Sequence, residues 1–194
     1  MTQNAPPEDR WQIGSTLRVG AAIKALRGRR SVVWLSDATA AIGERVGRST
    51  ITDIEIGRRK FVAVHELSLI AAALGVPPVA LLTHGSMPDG QVEYLPDRTA
   101  PAHDVASWWG GGHRGAPQGT GPKTLPEPDE TTAKLFNAVE WRRRLQVARI
   151  RQVVDQVPDP AVMAALREQI ATVEATILEL GGVLDESASG DAPG

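Results

Sequence analysis

Between Thr16 and Leu82, apolar residues recur at helical spacing in five runs. Each run is cut off by Gly, by a proline pair or by a tight turn before it is long enough to be stable alone in water. A chain punctuated this way buries its apolar faces by packing the helices on one another, so the pattern predicts a compact all-α domain. The first helix is expected from about Thr16 to Arg27, capped by Ser15 or Thr16, with Leu17, Val19, Ala22, Ile23 and Leu26 on one face. The second runs from Ser31 or Val32 to Ile42, stopped by Gly43, with Leu35, Ala38, Thr39 and Ile42 inward. Glu44, Arg45 and Val46 form a short turn. The third helix begins near Gly47 and ends at Gly57, held by Ile51 and Ile54. The fourth, Val64 to Leu74, turns Leu67, Ile70, Ala71 and Leu74 inward. Val76-Pro77-Pro78 opens a fifth through Leu82, because a first-turn proline lacks only an amide that needs no helical partner.

These runs place a first domain over 11–84. A short extension, 85–109, follows. In it a Pro88-Asp89-Gly90 turn precedes a strand over Gln91 to Leu95, and Pro101 to Trp109 forms a helix exposing Val105, Trp108 and Trp109 on one side. The segment 110–128 (GGGHRGAPQGTGPKTLPEP) has too little apolar surface to offset ordering and reads as a flexible linker. Residues 129–184 form a helical hairpin. Glu130 to about Val157 carries the stripe Leu135, Val139, Leu145, Ala148, Val153 and Val157, and Pro158-Asp159-Pro160 breaks it. Pro160 to Leu180 carries Val162, Leu166, Ile170, Val173, Ile177 and Leu180 as a heptad-like seam. The seam predicts a partner at Leu135, Val139, Leu145, Val162, Leu166, Ile170, Val173 and Ile177: a second copy making a homodimer, the front domain, or another protein. The tail 185–194 reads as disordered.

Composition narrows the function. The formal net charge of the 194 residues is only -2, but the charge is unevenly placed. Thr16 to Val64 holds ten basic residues against four acids, which favours a polyanion partner there. There is no cysteine, which excludes a disulfide framework, a Cys-ligated zinc finger and a thiol nucleophile. His65, His84, His103 and His113 lack the spacing of a helical metal site, so no metal and no cofactor are expected. No apolar run approaches a membrane span, and Met1 to Arg10 is too polar for a signal peptide, so the expected location is cytoplasmic. No catalytic motif is present, and no enzymatic activity is expected.

The stretch GRSTITDIEIGRRK, Gly47 to Lys60, carries the chemistry. A helix that enters the major groove must be short, open with small polar or basic side chains, and keep its other face apolar. Gly47, Arg48, Ser49 and Thr50 open this one, and Thr52 and Asp53 lie outward between its two isoleucine anchors. Arg48 is placed to meet a guanine edge or a phosphate. Arg58, Arg59 and Lys60, with Arg45 in the preceding turn, form the expected phosphate-binding set. Read without a ligand, the same run is an exposed helix whose terminal cations complement its dipole. Arg142-Arg143-Arg144 with Arg149 and Arg151 reads either as further DNA contact or as an ordinary solvated helix face.

Val19 to Leu82, about a third of the chain, resembles the Cro/C1-type helix-turn-helix domain, also called the XRE family. The resemblance rests on VGAAIKALR, on Ser31, Leu35 and AAIG, on GRSTITDIEIGRR, and on HELSLIAAALGVPPVALL. The turn Gly43 to Gly47 is longer than the shortest family form. The resemblance implies a five-helix, lambda repressor-like fold and a double-stranded DNA operator as partner. It also implies groove-facing roles for Arg48, Ser49, Thr50, Thr52 and Asp53. The front-end placement of the domain and the MPDGQVEYLPD segment make the layout similar to that of immunity repressors of actinobacterial temperate phages. The expectation is a sequence-specific transcriptional repressor that occludes its promoter and, in a phage, maintains lysogeny. The alternative is an antitoxin-like or protein-interaction regulator working through the hairpin.

Overall fold

The computed structural model describes residues 10–112, 116–117, 119–121, 124–127, 129–154 and 159–184. Two compact units emerge, one of residues 1–110 and 116–125, the other of 111–115 and 126–194. The described residues are mostly helical, with eight helices and one small two-stranded sheet; the sheet departs from an all-α class and lies in the extension, where one strand was expected and the second was not.

In the first unit, α1 (Arg10–Arg27), α2 (Val32–Ile42), α3 (Arg48–Glu55), α4 (Val64–Leu74) and α5 (Pro78–Thr83) surround one core. Ala22, Ile23, Leu35, Ile51, Ile54, Ile70, Ala71 and Leu81 are fully buried in it. The first helix already runs at Arg10, earlier than expected. Thr16 is therefore interior rather than a cap, and its buried hydroxyl donates to the Lys60 carbonyl at 3.0 Å. Leu17 and Ile42, expected inward, are both exposed. Ser31 does cap α2, accepting from the Trp34 amide at 3.0 Å. α1 and α3 pack backbone to backbone at Gly20. A Cβ there would lie 2.3 Å from the Ile54 carbonyl oxygen, so only glycine fits.

The extension belongs to the same unit. β1 (Gln91–Leu95) pairs antiparallel with β2 (Arg98–Pro101), with Val92 opposite Ala100 and an irregularity between Glu93 and Leu95. The strand at Gln91 to Leu95 lies where the sequence placed it, but its partner was not foreseen, because four residues headed by a buried Arg98 carry no alternating pattern. α6 (Ala102–Trp109) packs on the sheet. Its Val105 is buried, not exposed, with Tyr94, Val92 and Ala100 around it, and Trp108 meets Tyr94 edge to face. Only Trp109 of the three is exposed. Arg18 of α1 donates to the Glu93 carbonyl at 3.2 Å and ties the extension to the helices.

The segment read as a linker is anchored in part. Thr120 exchanges backbone hydrogen bonds with Thr99 at 3.1 and 2.9 Å, and the Tyr94 hydroxyl donates to the Pro117 carbonyl. Gly119 lies so close to Thr99 that a Cβ would sit 2.1 Å from its carbonyl oxygen.

The second unit holds α7 (Glu130–Val154) and α8 (Pro160–Glu179), packed as a pair. Asp159 caps α8, accepting from the Ala161 amide at 2.8 Å. Arg142 and Glu174 join the helices at 2.7 Å. Leu145, Ile170 and Ile177 are buried within the unit, and Leu135, Leu166 and Val173 are half-buried. The expected oligomerisation seam is thus largely consumed inside the hairpin, because the two helices turn those faces toward each other. Val139 and Val162 stay exposed, as does Val153. Val157 and the tail 185–194 lie outside the described residues.

Candidate nucleic-acid interface

The candidate interface is built on the α2–turn–α3 segment, and two hydroxyls of α2 fix its geometry. Ser36 and Thr39 are both buried. The Ser36 hydroxyl donates to the Val46 carbonyl at 2.8 Å, and the Val46 amide donates to the Thr39 hydroxyl oxygen at 2.9 Å. The Thr39 hydroxyl in turn donates to the Ser36 carbonyl at 2.8 Å. Both backbone groups of Val46 are therefore satisfied by side chains, and its own side chain is buried in the core. This clasp sets the direction in which the chain enters α3, despite the long turn.

α3 is anchored from below and open above. Ile51 and Ile54 are fully buried, while Arg48, Ser49 and Thr52 are exposed and Thr50 and Asp53 half-buried. Gly47 at its N-cap is extended and gives no side-chain hydrogen bond, so the first-turn amides are left for an external acceptor. Among the described residues no hydrogen bond or ion pair engages the Arg48 guanidinium. The far end of α3 is locked. Glu55 takes a bidentate pair from Arg27 at 2.8 and 2.7 Å, both side chains largely buried. That hydrogen bonding raises Arg27 above the ordinary guanidinium value, against the opposing effect of burial.

The cations expected to grip phosphate fall into different situations. Arg58 is exposed and lies 3.6 Å from Asp53, a solvent-screened pair that a phosphate can readily displace. Arg45 is exposed but bonded to Asp37 and Ser36. Arg59 is committed to the fold: it pairs with Glu66 at 2.6 Å and its guanidinium lies 5.5 Å from the Phe61 ring. Glu66 also accepts from the Ala63 amide at 3.0 Å and so starts α4. Burial pushes the Glu66 carboxyl up, but the Arg59 guanidinium and the Ala63 amide together hold it below the ordinary glutamate value. Lys60 is exposed, with its carbonyl held by Thr16.

Arg29 and Arg30, counted in the basic stretch from Thr16 to Val64, were not among the expected phosphate contacts. Both are exposed at the entrance to α2, and Arg30 lies 4.0 Å over the Trp34 ring while donating to the Leu26 and Arg27 carbonyls. The available signal was a paired Arg directly before a Ser N-cap. Arg142 and Glu140 hold ion pairs within the second unit, and Arg143 and Arg144 flank Glu140. Among the described residues no cluster of His, Asp or Glu could hold a metal ion, and no helix is long and apolar enough to cross a membrane. No protein-family model, no curated protein and no solved structure matches the chain.

Proposed function

We propose that the chain is a transcriptional repressor that binds double-stranded DNA by sequence, with α3 as the reading helix. One observation carries the reading. α3 buries Ile51 and Ile54 completely, holds its far end through Glu55, and offers Arg48, Ser49 and Thr52 at an uncapped N-terminal end. A helix anchored on one side and polar at its leading end is what major-groove readout requires. The sequence resemblance to Cro/C1-type regulators and the basic stretch from Thr16 to Val64 support the same reading.

In this reading Arg48, Ser49, Thr50, Thr52 and Asp53 face bases. Exposed Arg58 and Arg45 supply phosphate affinity once their solvent-screened pairings yield, and exposed Lys60 adds to it, while Arg59 acts mainly through Glu66. Binding over a promoter excludes polymerase, in the cytoplasm where that duplex lies, and in a temperate phage it would maintain lysogeny. No cofactor takes part. The test is selection of binding duplexes from a random pool with the full chain, followed by footprinting. A reproducible protected motif is expected, and retention of all duplexes alike would remove the proposal. The second reading, a protein-interaction regulator of the antitoxin kind, draws on apolar surface left exposed on α7, and a stoichiometric co-purifying protein would favour it.

A further inference from the structure

The outward side of α3 carries one carboxylate, in an unfavourable place. Ser49, Thr52 and Asp53 share that side by helical spacing, opposite the buried Ile51 and Ile54. Asp53 stands in the last turn of the helix, where the dipole disfavours negative charge. Beside a duplex it would also face the repulsion of the phosphates. In the free chain Arg58 offsets it. The Arg58 guanidinium lies 3.6 Å from the Asp53 carboxylate, and the Arg58 amide donates to the Asp53 carbonyl at 2.8 Å. The Arg58 side chain is 75% exposed, so carboxylate and phosphate compete for the same guanidinium.

We propose that Asp53 accepts from the exocyclic amino group of a cytosine in the major groove and thereby releases Arg58 to a phosphate, so that the base match and the backbone contact are gained together. Cytosine presents only its N4 amino donor on that edge. Thymine and guanine present acceptors, and adenine sets an acceptor beside its amino group. Opposite any of these edges the carboxylate meets an acceptor, retains Arg58, and the phosphate contact is lost with the base contact. The other held cation of the segment lacks this link. Arg45 is bonded to Asp37, which lies on α2 and not on the reading helix, so a phosphate alone displaces that pair. The coupling rests on the DNA-binding reading of α3, and adds to it the base that Asp53 selects and a reason for Arg58 to let go.

Duplexes selected from a random pool by the full chain supply the motif for the test. Cytosine is expected at one position to which Asp53→Ala becomes indifferent. At that position a U·A pair in place of C·G turns the donor into an acceptor without adding a methyl group. The wild-type chain is expected to bind the U·A duplex roughly ten-fold or more weakly, with a slope of log K against log salt that is shallower by about one. In Arg58→Ala the two slopes are expected to be equal. Asp53→Ala is expected to bind random DNA several-fold more tightly than wild type with unchanged helical circular dichroism, and that gain is expected to vanish in the double variant. Asp37→Asn is expected to raise affinity for both duplexes by the same factor. A wild-type chain that selects no motif removes the DNA-binding reading and the coupling with it. Where a motif is selected, unchanged base preferences in Asp53→Ala overturn the role of Asp53 alone. Equal wild-type salt slopes on the C·G and U·A duplexes, or a gain from Asp53→Ala that persists without Arg58, overturn the release of Arg58.

Discussion

At the scale of single residues, Arg48 and Arg59 share a charge but not a role. Arg48→Ala removes a guanidinium that no internal partner holds, so stability is expected to stay within about 0.5 kcal/mol. Preference for the selected motif over random DNA is expected to fall by about 1–3 kcal/mol in competition binding. Equal losses on motif and random duplex would assign Arg48 to phosphate instead. Arg59→Ala is expected to lower Tm first, because it leaves the largely buried Glu66 without its partner. The Glu66 carboxyl lies below its ordinary value near 4.5 in the folded chain. A depressed folded value means that Glu66 contributes stability above the unfolded value and loses it as pH falls through the folded one. A profile of Tm against pH should therefore drop from just above 4.5 downward, and Glu66→Gln should flatten that drop while lowering Tm at neutral pH. An unchanged acid limb in the variant would show that other carboxylates govern it.

At the scale of elements, the clasp on Val46 is the feature most open to test. Thr39→Val keeps the side-chain volume but leaves the buried Val46 amide without an acceptor, at a cost of about 1–3 kcal/mol in chemical denaturation. Wild-type stability would mean the amide finds another partner. α2, α4 and α5 were legible in the sequence because each carries a local signal at a boundary: Ser31 before α2, Gly43 after it, Gly75 after α4, and the proline pair before α5, whereas the start of α1 was misplaced at Thr16. Ile51 and Ile54 announced the buried side of α3 by spacing alone. The clasp was not legible: spacing turned Thr39 inward, but nothing in the sequence named Val46 as the partner of its hydroxyl, and Ser36 looks like an ordinary polar helix residue. The same holds for Arg59, whose partner lies in the next helix, and for β2, whose pairing with β1 and Thr120 depends on contacts the chain order does not advertise. The seam of α8 was legible as apolar, but periodicity names a face and not its occupant.

At the scale of the whole molecule, the two stretches of chain divide the charge. Residues up to Leu82 carry +4 and the remainder -6. The acidic remainder is expected to keep non-specific binding weak, so removing residues 129–194 should raise affinity for random duplexes at low salt more than for the selected motif, as measured by titration at two ionic strengths. Equal affinities before and after truncation would show that the remainder exerts no such field. The contact at Gly20 has a further consequence. At that point no side chain stands between α1 and the backbone of α3, so a load on α3 passes there straight to the longest rod of its unit. A helix mounted this way meets its target already in its final pose. Amide exchange along Ile51 to Glu55 should then be as slow in the free chain as in a complex, and little ordering entropy should be lost on association.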